Sequence, residues 1–113
     1  MSAFDVVAPA FDCYRALPIG VPEAIRAAIL SSTSASSRPR LLDLGAGSGR
    51  VGWPFVVAGD DYIGVDVSSG MLQEFAQRAA ARGEVSPRLV QADGQHLPFR
   101  DATFDIVMLA KHI

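Results

Sequence analysis

Apolar positions along this chain keep two different rhythms. Over residues 21–30 they fall at Val21, Ala24, Ile25, Ala28 and Ile29, the spacing of an amphipathic helix, with Pro22 acceptable in its first turn. Residues 31–39 (Ser-Ser-Thr-Ser-Ala-Ser-Ser-Arg-Pro) have neither periodicity nor bulk and are expected to form a mobile connector. A strand is predicted over 40–44, then a helix over 50–58 that Gly59-Asp60-Asp61 ends, then a strand over 62–66. Ser68 or Ser69 can cap the next helix, whose Met71, Leu72, Phe75, Ala76 and Ala79 make an apolar stripe before Gly83 stops it. A strand over 88–92, a loop over 93–103 and a strand over 104–110 complete the pattern. Strands alternating with helices over short links imply an α/β fold, with a parallel sheet, right-handed crossovers and helices on both faces. Trp53, Phe55 and Phe75 are expected in the core.

The run Leu41-Leu42-Asp43-Leu44-Gly45-Ala46-Gly47-Ser48-Gly49-Arg50 joins the first of these central strands to a helix through glycines. Glycine serves where φ is positive or where a Cβ would collide with a bound molecule, and the helix start beyond offers free N–H groups. A nucleotide-type cofactor is the first expectation. A dinucleotide fingerprint that starts at Gly45 fails, because Arg50 stands where its third glycine belongs. A second register, Gly47, Gly49 and Gly52, satisfies the spacing but leaves Asp43 and Gly45 without a role, so an NAD(P)- or FAD-binding oxidoreductase domain stays as an alternative.

Three segments in order carry a resemblance. Asp43-Leu44-Gly45-Ala46-Gly47-Ser48-Gly49 resembles the first motif of class I S-adenosylmethionine-dependent methyltransferases, an acid in the strand before a Gly-x-Gly-x-Gly turn. Tyr62-Ile63-Gly64-Val65-Asp66-Val67-Ser68 is similar to their second strand ending in an acid, and Ser68-Ser69-Gly70-Met71-Leu72 to the helix start after it. Gln91-Ala92-Asp93-Gly94-Gln95-His96-Leu97-Pro98-Phe99, followed by Asp101, Phe104, Asp105, Ile106 and Val107, resembles the ubiquinone/menaquinone-biosynthesis-like (type 11) branch. The match runs from about Arg40 onward. Phe11-Asp12-Cys13-Tyr14-Arg15 resembles that branch's N-terminal segment more loosely.

The resemblance implies a Rossmann-like methyltransferase domain that binds S-adenosyl-L-methionine. Asp66, about twenty residues beyond the glycine turn at the tip of the neighbouring strand, is apt for the ribose diol, since a carboxylate accepts two hydrogen bonds at once. Gly45, Ala46 and Gly47 would bring backbone against the methionine portion, with Ser48 adding a hydroxyl or amide contact. Asp43 would orient the turn or receive the ammonium group; holding loop N–H groups is an equally good structural role for it. Asp93 resembles the acid that accepts from the adenine amino group, beside Gly94. Val67 and Met71 would sandwich adenine and ribose, Leu109 and Ala110 would lie under the methionine moiety, and Tyr14 and Arg15 could close over the carboxylate. No catalytic side chain is implied, because in-line displacement at the cofactor's methyl group asks the protein for alignment and exclusion of water. His96 reads as a surface residue, and His112 has no metal-ligand company. Asp101 and Asp105 are expected to shape the turn into the last strand.

Composition narrows the partner. With 113 residues, half of them hydrophobic, and a formal net charge of -2, the chain has no electrostatic footprint for nucleic acid and no polybasic membrane patch, so a small-molecule methyl acceptor is expected. Cys13 is the single cysteine, which excludes an internal disulfide; with no signal peptide or membrane-length apolar run, cytoplasm is the default. Residues 1–39 read as a helical segment with its connector and 40–113 as the cofactor-binding half of a seven-stranded domain, four strands of it. The last strand is apolar at consecutive positions, and in the resembled family another strand would lie beyond it. An open apolar edge is therefore expected there, with self-association or complementation through it. A fragment that binds the cofactor without turnover is a further alternative.

Overall fold

The computed structural model describes residues 5–7, 18–31, 38–83, 86–94, 96–97 and 103–109. In chain order its elements are β1 (Asp5–Val7), α1 (Val21–Ser31), β2 (Arg40–Leu44), α2 (Trp53–Ala58), β3 (Asp61–Asp66), α3 (Ser69–Ala81), β4 (Arg88–Gln91) and β5 (Ile106–Leu109). The five strands make one sheet in the order β1-β5-β2-β3-β4, with every neighbouring pair parallel. The connector expected over 31–39 lies largely outside the described residues.

All three helices pack on one face of this sheet among the described residues, not on two. Phe55 of α2, Phe75 of α3 and Ile29 of α1 meet Leu41, Tyr62, Ile106 and Met108 in the larger core cluster. The opposite face gathers Leu42, Val65 and Val107, covered by Phe104 and partly by Leu97. The reason is topological. From β2 through α2 to β3, and through α3 to β4, the chain steps one way along the sheet, and right-handed crossovers in one direction deliver their helices to one side. Only the connection from β4 to β5 steps back, and its described residues Leu97 and Phe104 pack on the other face. β2 thus lies between a strand reached in one direction and a strand reached in the other, so the sheet's switch point is at the C-terminal end of β2, where ligands bind in open α/β sheets.

The expected open edge beyond the last strand is occupied. Asp5, Val6 and Val7 pair with Ile106, Val107 and Met108, so the N-terminal segment contributes a fifth strand and is not purely helical. Backbone donors and acceptors on that side of β5 find partners within the chain, which removes the argument for self-association through this edge.

Local chemistry sets the element ends. α2 begins at Trp53, not at residue 50: Arg50 and Val51 continue the turn, Gly52 is the N-cap residue and Pro54 sits in the first helical turn, where its missing N–H is harmless. Gly59 ends it in a left-handed conformation. Ser68 caps α3 by accepting a hydrogen bond from the Met71 N–H at 3.2 Å. Asp105 shapes the entry to β5 as expected: its N–H donates to the Arg40 carbonyl at 2.9 Å, and its Oδ2 accepts from the Arg40 N–H at 2.8 Å. Asp101 lies outside the described residues. Arg26 of α1 grips Asp60, just past α2, through Nε and Nη2 at 2.7 and 3.0 Å, and lies over the Phe55 ring.

Candidate functional site

The turn after β2 is built from glycines in left-handed conformations, Gly45 at φ 80°, Gly47 at 57° and Gly49 at 88°. Its amides are tied down one by one. Gly45 and Ala46 donate to the Val65 carbonyl at 2.8 and 3.0 Å, locking the turn to the end of β3. Gly47 donates to Asp66 Oδ2 at 3.0 Å, while Asp66 Oδ1 accepts from the Ser68 N–H at 2.9 Å. A single carboxylate thereby braces the glycine turn against the start of α3. Arg78 adds a 3.4 Å contact to the Ser48 carbonyl.

Over this turn opens a cavity of 460 Å³, within the range of small-molecule and cofactor sites. Nine of the residues singled out from the sequence line it: Asp43, Gly45, Ala46, Gly47, Ser48, Asp66, Val67, Met71 and Gly94. Val67 is 66% exposed, an apolar side chain held open at the rim. Asp93 is not part of the lining although its neighbours Ala92 and Gly94 are; its Oδ2 lies 3.6 Å from Nδ1 of the exposed His96. Leu109, 36% exposed at the end of β5, is not in the lining either. Tyr14, Arg15, Ala110 and His112 lie outside the described residues.

The structure adds wall residues that the sequence reading passed over: Leu44, Arg50, Val51, Val65 and Ala92, and Ser68 beyond its capping role. Arg50, expected to open a helix and a misfit in one glycine register, is among them. Its position directly after Gly49 at the mouth of the turn was the available signal.

Two polar groups at the floor are out of water. Asp43 is 4% exposed, and burial pushes its carboxyl up to about 6; a hydrogen bond from Tyr62 opposes the rise and the nearby Asp66 charge adds to it. The Tyr62 phenol donates to Asp43 Oδ2 at 2.5 Å, and burial beside that acid drives its own pKa well above the ordinary range. Ser48, also 4% exposed, has a hydroxyl with no hydrogen-bond partner among the described residues. Buried hydroxyls are normally satisfied, and this one belongs to a wall of the cavity.

Glycine positions separate the two registers. Gly45 and Gly47 line the cavity, whereas Gly49 turns to the core, where an added Cβ would come within 2.6 Å of the Phe75 ring. An added Cβ on Gly52 would fall 2.1 Å from the Tyr62 hydroxyl. In the Gly47-Gly49-Gly52 register the middle glycine should let backbone approach the pyrophosphate, and here it is buried against a helix.

The profile described as a methyltransferase domain matches residues 41–113, the span that contains this cavity. The chain belongs to the methyltransferase-domain family. It is 35% identical over 108 residues to a demethylmenaquinone methyltransferase of Thermobifida fusca, covering 95% of this chain and 46% of that protein. Its identity to the Streptomyces griseus protein of the same name is 33% over 110 residues, covering 96% and 46%. The chain therefore spans about half the length of the curated relatives it matches. Among solved structures, the YcgJ protein of Bacillus subtilis superimposes with a TM-score of 0.61 at 27% identity, over 77% of this chain and 37% of that one. Magnesium protoporphyrin IX methyltransferase of Synechocystis, solved with bound SAM, superimposes at 0.62 and 23% identity, over 78% and 41%, and shares the fold.

Proposed function

We propose that this chain binds S-adenosyl-L-methionine in the cavity over the glycine turn and serves methyl transfer to a small-molecule acceptor. The single observation that carries the reading is the polar floor of that cavity. A buried carboxylate at Asp43 and a buried hydroxyl at Ser48 that has no partner among the described residues lie within one turn of backbone, a pair suited to the ammonium and carboxylate of an amino acid. The rest of the lining suits the other end of the molecule: Asp66 keeps accepting capacity on both oxygens for a ribose diol, and Val67 and Met71 offer apolar surface to a purine. Demethylmenaquinone methyltransferases among the relatives support the small-molecule acceptor.

When bound, the cofactor supplies a methyl group on a positively charged sulfur. The protein's part is to bind, orient and keep dry. Left-handed glycines bring main chain to the ligand without side chains intervening, and Asp66 fixes that turn while facing the same cavity. Gly47 leaves room: an added Cβ there would stand 3.3 Å from Met71 Cε. Asp43, ionised, would neutralise an ammonium at the buried floor of the cavity, where the attraction is less screened than in water.

Calorimetric titration with S-adenosylhomocysteine, with NADH as the control, tests the reading. Binding of S-adenosylhomocysteine alone is the expected result. Binding of NADH instead would return the site to the oxidoreductase alternative.

A further inference from the structure

We infer that Tyr62 is a positioning residue for Asp43, holding Oδ2 of that carboxylate so that Oδ1 is left to meet the ammonium group of the ligand. The inference rests on the cofactor reading above. Its basis is geometric. Asp43 of β2 and Tyr62 of β3 are not register partners, since Asp43 lies opposite Gly64 and Tyr62 opposite Leu41. They meet because the phenol runs along the helix-covered side of the sheet toward the glycine turn, and two glycines clear its way. A Cβ on Gly52 would strike the hydroxyl at 2.1 Å, and one on Gly64 would stand 3.2 Å from it. The ring itself is held between aromatic neighbours, stacked on Phe55 at 5.8 Å between centroids and tilted against Phe75 at 6.3 Å. Tyr62 is 3% exposed, so its hydroxyl meets Asp43 without competition from bulk water.

This arrangement does more than fill space, because Phe would fill it equally well. A phenol donating to a carboxylate makes a charge-assisted bond, stronger than the one it makes to a neutral carboxylic acid, and so it biases Asp43 toward the charged form a cationic ligand requires. Other groups set the background. Asp66 at the end of β3 opposes ionisation of Asp43, while Arg50 lines the same cavity from the turn. β5 presents Met108 opposite Asp43, and α2 carries no titratable side chain.

The test follows the Asp43 carboxyl carbon by NMR titration, together with the pH profile of S-adenosylhomocysteine binding. Three proteins are compared: wild type, Tyr62→Phe, and a form with 3-fluorotyrosine placed at 62, a stronger donor of nearly the same shape. Tyr62→Phe is expected to raise the Asp43 pKa by about one pH unit or more. Binding should weaken about fivefold to tenfold near pH 5.5 and converge with wild type by about pH 8. The fluorinated form should move both readings the other way, and it keeps the fold even if Tyr62→Phe does not. Unchanged titration and unchanged profiles in both would overturn the inference and leave Tyr62 as core. Asp43→Asn separates the two levels. If it binds with the wild-type profile, the assignment of Asp43 to the ammonium falls and takes this inference with it. If it abolishes the low-pH edge while the Tyr62 forms do not move that edge, only the role of Tyr62 falls.

Discussion

Asp43 holds its charge at an unusual cost in free energy. Its carboxyl titrates at about 6 in the folded chain against 3.8 ordinarily, so between those values the folded state holds a proton that the unfolded state has released. Stability then falls as pH rises from about 4 to about 6, because ionising the carboxyl in its buried place is unfavourable. Asp43→Asn keeps an acceptor for the Tyr62 hydroxyl and removes the charge. We expect it to stabilise the ligand-free protein at neutral pH by roughly 2–3 kcal/mol, at about 1.4 kcal/mol per pH unit, while weakening ligand binding. Urea unfolding at pH 7 and near pH 4 checks this: the gain should shrink toward the acid side, and a gain equal at both would disprove it. At this scale the sequence was partly legible. The acids at 43 and 66 stood out by their place at strand ends, but which acid would brace the turn did not, because that depends on a cross-strand phenol. With Tyr62 engaging Asp43, the Gly47 amide finds its acceptor in Asp66.

Elements were legible where the hydrophobic period was long. α3 lies over Ser69–Ala81 with the predicted cap and buries Leu72, Phe75 and Ala79 of the predicted stripe, while Ala76 is exposed; β2 matches its predicted span, Arg40–Leu44. α2 is shorter than its apolar pattern because the glycine turn extends through Gly52 before helical geometry begins. β5 starts at Ile106, two residues after the predicted start at 104, because Phe104 leaves the strand to cover the second face. β1 escaped prediction altogether: three residues carry too little periodicity to register, and what stabilises them is pairing with β5. The close seating of α3 on the turn yields a test at this scale. Gly49→Ala demands a side chain at φ 88° and a Cβ within 2.6 Å of Phe75. We expect a loss of about 2–4 kcal/mol, read as a drop of roughly 10 °C or more in the melting midpoint. A shift of only a degree or two would show that α3 retreats freely from the turn.

At the scale of the whole molecule, alternation of strands and helices foretold the parallel sheet, but not that the helices would share one face. That followed from strand order, which periodicity does not encode. The sheet's remaining edge interaction supplies a prediction. Removing residues 1–7 uncovers β5, whose Ile106, Val107 and Met108 are buried, and should produce concentration-dependent association in sedimentation velocity; a monomer unchanged across a hundredfold range of concentration would refute it. The pairing of Asp5 with Ile106 also spans 101 positions of sequence and places the earliest strand beside the latest. Loop closure of that length opposes early docking of so short a strand, so β1 should lock last and exchange its amide hydrogens first. During synthesis, then, β1 must wait without its partner until β5, about a hundred residues later, has emerged from the ribosome.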